Sequence, residues 1–163
     1  MHPSKVGWTP RVRVLTRIVL ATITIPFATA SALAGVNAGI GADSPINGDR
    51  ASVLTLSYVT DQRFPWEFGI GRFSAHNSPT TDQPTPVTYY FGVSRRLTWR
   101  HLFASGGLVY DTANDRTLSG HYQIQTALGL TYGACTLSVR HISNASTTGT
   151  NHGETFALFE YGF

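Results

Sequence analysis

The chain has 163 residues, of which 13% are charged and 12% aromatic, with a formal net charge of +3. Four of its twelve basic residues, Lys5, Arg11, Arg13 and Arg17, fall in the first 34 positions, while all nine acidic residues lie beyond them. The remainder holds eight basic against nine acidic residues, which removes the electrostatic footprint of a nucleic-acid binder, and the single cysteine, Cys135, excludes a disulfide framework.

Residues 1–34 have the pattern of a signal peptide. A positive n-region precedes the apolar stretch Ile18 to Ala32, and Ala32-Leu33-Ala34 has the A-x-A form of a cleavage site. Pro26 and the many threonines and alanines argue against a membrane anchor. No later segment offers the ~18 uninterrupted apolar residues of a membrane helix. Residues 35–163 then form one exported domain, rich in glycine and aromatics and without helical periodicity. That leaves a membrane β-barrel or a small soluble β-domain.

Period-two alternation runs through this domain. Leu54, Leu56 and Tyr58 alternate with Thr55 and Ser57; Val87, Tyr89, Phe91 and Val93 alternate with Thr88, Tyr90, Gly92 and Ser94. From Tyr122 to Tyr132, Ile124, Thr126, Leu128 and Leu130 share the tyrosines' face, opposite Gln123, Gln125, Ala127, Gly129 and Thr131. A tyrosine at each end of an apolar stripe is the mark of a barrel strand bracketed by aromatic girdles, although a sandwich strand shares the alternation. Eight strands are predicted near residues 36–41, 50–59, 66–74, 86–96, 100–110, 119–132, 135–143 and 154–163. Their connections alternate long and short, the longer ones being Asp43–Asp49, Ala75–Thr85, Asp111–Ser119 and Asn144–Gly153. The expected fold is therefore all-β, an eight-stranded antiparallel transmembrane β-barrel with both ends in the periplasm. Phe159, Tyr161 and Phe163 resemble the terminal aromatic signature that barrel-assembly machinery reads, which makes that machinery an expected partner during insertion. The lumen of so narrow a barrel is filled by side chains. Arg140 and Arg72 are expected to face it and to pair with Glu67 or Glu160. Arg95, Arg96 and Arg100 are expected to be solvated or to touch phosphate headgroups around a short turn.

The chemistry concentrates at the C-terminal end. His141 and Ser143, two apart on one strand, project from the same face about 6–7 Å apart at the backbone, and a hairpin would return Glu154 toward them. Nucleophile, base and orienter in one hairpin meet the requirement of a serine hydrolase. A histidine and a serine sharing the lipid-facing parity of Leu137 and Val139 are poor choices for stability, which favours function. Glu154 carries the parity of Phe156, Leu158 and Glu160, so a triad requires either a bulge or a loop position for it. His76, His101, His121 and His152 lack metal-ligand spacing and are expected to be solvated.

At these residues the chain resembles the PagL family of outer-membrane lipid A 3-O-deacylases. The resemblance rests on Val139-Arg140-His141-Ile142-Ser143-Asn144-Ala145, then Asn151-His152-Gly153-Glu154, then Ala157-Leu158-Phe159. It implies Ser143 as nucleophile, His141 as general base, Glu154 as its orienter, Asn151 in the oxyanion hole and Asn144 in a supporting role. It also implies an outer-membrane location in a Gram-negative bacterium, a site facing the outer leaflet, lipid A or lipopolysaccharide as substrate, outer-membrane lipids as surroundings, and no metal or other cofactor. A homodimer is left open. Two departures stand out: the loop from Ser143 to Glu154 is one residue short of the family pattern, and Ser146 stands where a small residue, often glycine, is expected. Two rival readings share the location: a non-enzymatic barrel of the OmpX type, structural or adhesive, and a lipid A palmitoyl transferase.

Overall fold

A computed structural model describes residues 34–43, 50–77, 84–115, 117–147, 149 and 151–163; nearly all of the expected signal peptide lies outside them. Eight long antiparallel strands close on themselves: β1 (Gly35–Asp43), β2 (Ser52–Val59), β3 (Trp66–Phe73), β6 (Thr88–Trp99), β7 (Leu102–Asp111), β8 (Tyr122–Tyr132), β9 (Cys135–Ser143) and β10 (Glu154–Gly162). Each pairs with its neighbours around the barrel, and β1 joins β10 through Asn37 opposite Gly162 and Asp43 opposite Phe156. Closure leaves no unpaired sheet edge. The connection between β3 and β6 adds a two-residue hairpin, β4 (His76–Asn77) with β5 (Pro84–Thr85).

The predicted strands are all present, and the barrel decides what alternation alone left open. Ile40, Leu54, Leu56, Ile70, Phe91, Leu108, Leu128, Leu137, Val139 and Phe159 are all exposed, forming an outward apolar belt. Aromatic residues bracket it. Tyr58, Trp66, Trp99, Tyr161 and Phe163 lie exposed toward the rim that carries the chain ends, and Tyr89, Tyr110 and Tyr122 toward the other. A belt of this kind is stable against hydrocarbon, not water.

The opposite parity fills the lumen. In its half nearer the long connections, Phe73 stacks edge-on against Phe156 with centroids 5.1 Å apart, and Tyr90 lies 5.4 Å from Phe73. Val53, Val109, Leu118, Ile142 and Leu158 complete this plug. Beyond it lies a buried charge cluster. Glu67 Oε2 accepts from Arg96 Nε at 2.9 Å, and Arg140 Nη2 donates to Glu160 Oε2 at 2.7 Å. Arg140 Nη1 lies 2.8 Å from Glu67 Oε1, an ion pair without hydrogen-bond alignment. Ser57 adds a 3.0 Å hydrogen bond to Glu160.

Two arginine expectations need correction. Arg72 faces outward: it lies opposite Leu54 and Tyr89, and the inward residues of β3 are Glu67 and Phe73. Arg96 is not solvated but buried in the lumen on Glu67, with its guanidinium 4.3 Å from the centre of the Phe103 ring. Its parity in β6 is that of Tyr90 and Ser94, and only a buried carboxylate makes that position affordable.

Candidate active site

Strand β9 places His141 and Ser143 on its outward face, continuing the row of Leu137 and Val139. Both are half-buried at the rim away from the chain ends. Thr126 lies opposite His141 and Ile124 opposite Ser143 on β8. Immediately beyond, Ala145 and Ser146 adopt positive φ values of 53° and 60°, an unusual turn for non-glycine residues. Asn144 stabilises it: the Ser146 N–H donates to Asn144 Oδ1 at 2.8 Å, and Asn144 Nδ2 donates to the Ser119 carbonyl at 2.7 Å. Asn144 itself is almost fully buried. It thus fixes the point where β9 ends just after Ser143.

The orienting group differs from the expected one. The register sets Thr155, not Glu154, directly opposite His141, and Thr155 Oγ1 lies 2.8 Å from His141 Nδ1. Glu154 is opposite Ile142, points into the barrel and bonds His76 Nε2 at 2.9 Å. In this structure the Glu154 carboxylate therefore does not meet His141. No bulge intervenes, so strand parity sends the carboxylate inward and sets Thr155 on the outward face beside His141. In the tautomer that donates Nδ1–H to Thr155 Oγ1, His141 has a lone pair on Nε2 for use as a base. Among the described residues Ser143 Oγ makes no hydrogen bond to His141, an arrangement common before substrate binds.

Gly153 is the tightest element of the site. Its φ is +70°, and a Cβ there would stand 2.7 Å from His141 Cε1, 2.7 Å from the Ile142 carbonyl oxygen and 2.8 Å from Ser143 Cβ. His141 and Ser143 thus face one another across a space only glycine leaves open. The N–H of Gly153 is anchored on the Thr117 carbonyl at 2.9 Å. Gly153→Ala is expected to reduce turnover by about 100-fold, because displacements near 1 Å at a reacting pair have that effect. Steady-state kinetics on folded protein would check it.

Asn151 donates one amide proton to Gln123 Oε1 at 3.1 Å, while its buried Oδ1 has no partner among the described residues. Among the described residues its second amide proton meets no acceptor. Of the other histidines, His121 and His152 are exposed and His101 is half-buried, but His76 is buried, contrary to expectation. The hydrogen bond that its ring donates to the Glu154 carboxylate is the main cause raising its pKa to about 9.

The fold and this rim define an outer-membrane type of β-barrel with His141 and Ser143 side by side on its outer wall. Residues 36–163 match the family described as Lipid A 3-O-deacylase (PagL), and the chain belongs to that family. A solved structure described as "Crystal structure of the outer membrane enzyme PagL" is similar, with a TM-score of 0.53 and 17% identity over 78% of this chain and 99% of that one. At that identity the likeness establishes the fold. No curated protein matches the chain.

Proposed function

We propose that this protein is an outer-membrane lipid A deacylase that removes the 3-O-linked β-hydroxyacyl chain through a Ser143–His141 pair oriented by Thr155. The observation that carries the reading is the outward-facing His141, held at Nδ1 by Thr155 with Ser143 on the same face. Residues 1–34 are proposed to direct export and to be removed. The site faces the outer leaflet, where lipid A reaches it by lateral diffusion along the apolar belt.

The reaction is acyl transfer in two steps. His141 Nε2 takes the Ser143 proton as Oγ attacks the acyl carbonyl, giving a tetrahedral oxyanion. Asn151, through its remaining amide proton, is the proposed donor to that oxyanion, a contribution of about 3–4 kcal/mol in well-studied cases. Collapse expels the sugar 3-oxygen, which leaves with the proton from His141. Water then repeats the sequence on the acyl-enzyme and releases the β-hydroxy fatty acid. Each proton taken by the imidazole is returned in the same half-reaction.

The test is mass spectrometry of lipid A from cells expressing the chain. Loss of one 3-hydroxyacyl chain supports the deacylase. A gain of palmitate would make it a transferase, and an unchanged lipid A would make it a non-enzymatic barrel. The orienter is tested separately. Thr155→Val is expected to slow deacylation about tenfold, since one neutral hydrogen bond is worth about 0.5–1.5 kcal/mol. Glu154→Gln should leave the rate within about threefold, as its carboxylate makes no bond to His141; a collapse of activity in Glu154→Gln alone would reinstate it as the orienter.

A further inference from the structure

The buried partners of Glu154 form a site unrelated to the His141–Ser143 pair. Asp43 ends β1, His76 sits in the β4–β5 hairpin and Glu154 opens β10, so three separate connections meet here. All three side chains are more than nine-tenths buried, with relative exposures of 8%, 7% and 4%. One ligand atom from each lies within 4.8 Å of the other two.

The hydrogen bonding of His76 sets the chemistry. Its Nδ1 is 3.0 Å from the Ser74 carbonyl oxygen, which can only accept, so Nδ1 carries a proton. Neutral His76 therefore presents a lone pair from Nε2 toward the Glu154 carboxylate at 2.9 Å. Two lone pairs at that distance repel unless a proton or a cation lies between them. A proton satisfies that contact with these two groups alone, whereas a divalent cation would also draw in the Asp43 carboxylate, whose oxygen lies within 4.8 Å of both. An Nδ1–H held by a backbone carbonyl is also the outer-sphere arrangement that fixes Nε2 of metal-binding histidines.

We propose that Asp43, His76 and Glu154 bind a divalent transition-metal ion of the zinc type at the barrel mouth. One imidazole and two carboxylates suit zinc better than calcium or magnesium, which prefer oxygen alone. Bonds of about 2.0–2.2 Å hold tetrahedral ligands about 3.4 Å apart, so a rotation of about an ångström at Asp43 completes three protein ligands, with water as the fourth. The ion's role is structural. It ties the start of β10 to β1 and to the β3–β6 connection.

The experiment uses the full domain folded in detergent micelles, stripped with EDTA and titrated with zinc. Metal analysis is expected to give one zinc per chain, with a raised thermal unfolding midpoint. Asp43→Asn keeps the His76–Glu154 contact yet removes a ligand, and should weaken zinc binding at least about 100-fold, more than loss of an outer partner does. His76→Gln should do the same, whereas exposed His152→Ala should bind zinc as the parent does. Zinc affinity unchanged in Asp43→Asn, or lost in His152→Ala, would overturn the proposal and leave a plain imidazolium–carboxylate pair. Neither outcome bears on the deacylase reading, because metal content and unfolding are measured without substrate.

Discussion

Ser143→Ala is expected to abolish deacylation while leaving the barrel intact. Removing the nucleophile of a serine hydrolase lowers turnover roughly 10⁴- to 10⁶-fold, since attack, acyl-enzyme and proton transfer all pass through that oxygen. The structural effect is small. Ser143 is half-buried on the outer wall near a strand end and its hydroxyl makes no hydrogen bond among the described residues, so the alanine variant should lie within about 0.5 kcal/mol of the parent. The separation matters, because a misfolded barrel would also be inactive. Heat-modifiable migration should therefore match the parent, while lipid A from expressing cells keeps all its 3-hydroxyacyl chains. A variant that folds and still releases the fatty acid would end the assignment of Ser143, whatever becomes of Thr155.

The barrel and the outward His141–Ser143 pair were legible because both depend on period two, a local property of the chain. Ile124, Leu128 and Leu130 opposite Gln123, Gln125 and Ala127 mark two faces, whatever the global fold. Which face meets solvent is not local. Only closure of β1 onto β10 shows that the apolar row is the outer one. The conflict over Glu154 was also visible in sequence, as shared parity with Phe156, Leu158 and Glu160. A regular strand satisfies that parity by turning Glu154 inward, and Thr155, which then faces His141, had no signal of its own in the sequence. Arg72 misled because the glycines at 69 and 71 leave β3 few inward side chains by which to judge its parity. His76 had no sequence signal, since its partner Glu154 is 78 residues away and they meet only because a two-residue hairpin turns back over the mouth.

The largest stability effect is expected in the lumen, from Arg140→Ala. Among the described residues Arg140 is the one cation that reaches both Glu67 and Glu160, each at most 2% exposed. With it removed, Glu67 retains Arg96 at 2.9 Å, but among the described residues Glu160 keeps only the Ser57 hydroxyl at 3.0 Å. Breaking a buried pair from one side costs about 3–5 kcal/mol, because the remaining charge stays desolvated without its counterion. Equilibrium unfolding of the folded barrel in urea should show that loss as a lower midpoint with an unchanged slope. The double variant Arg140→Met with Glu160→Gln removes both charges while nearly conserving volume, and should recover a large part of the loss. If the cluster is cooperative, the two changes will be strongly non-additive. An Arg140→Ala barrel with the parent's midpoint would mean that water in the lumen already screens these carboxylates. Arg140 also adjoins His141 on β9, yet the two project to opposite sides of the wall. A folded Arg140→Met variant should therefore keep its deacylation rate within a few-fold, separating the cluster that holds the strand from the pair that uses it.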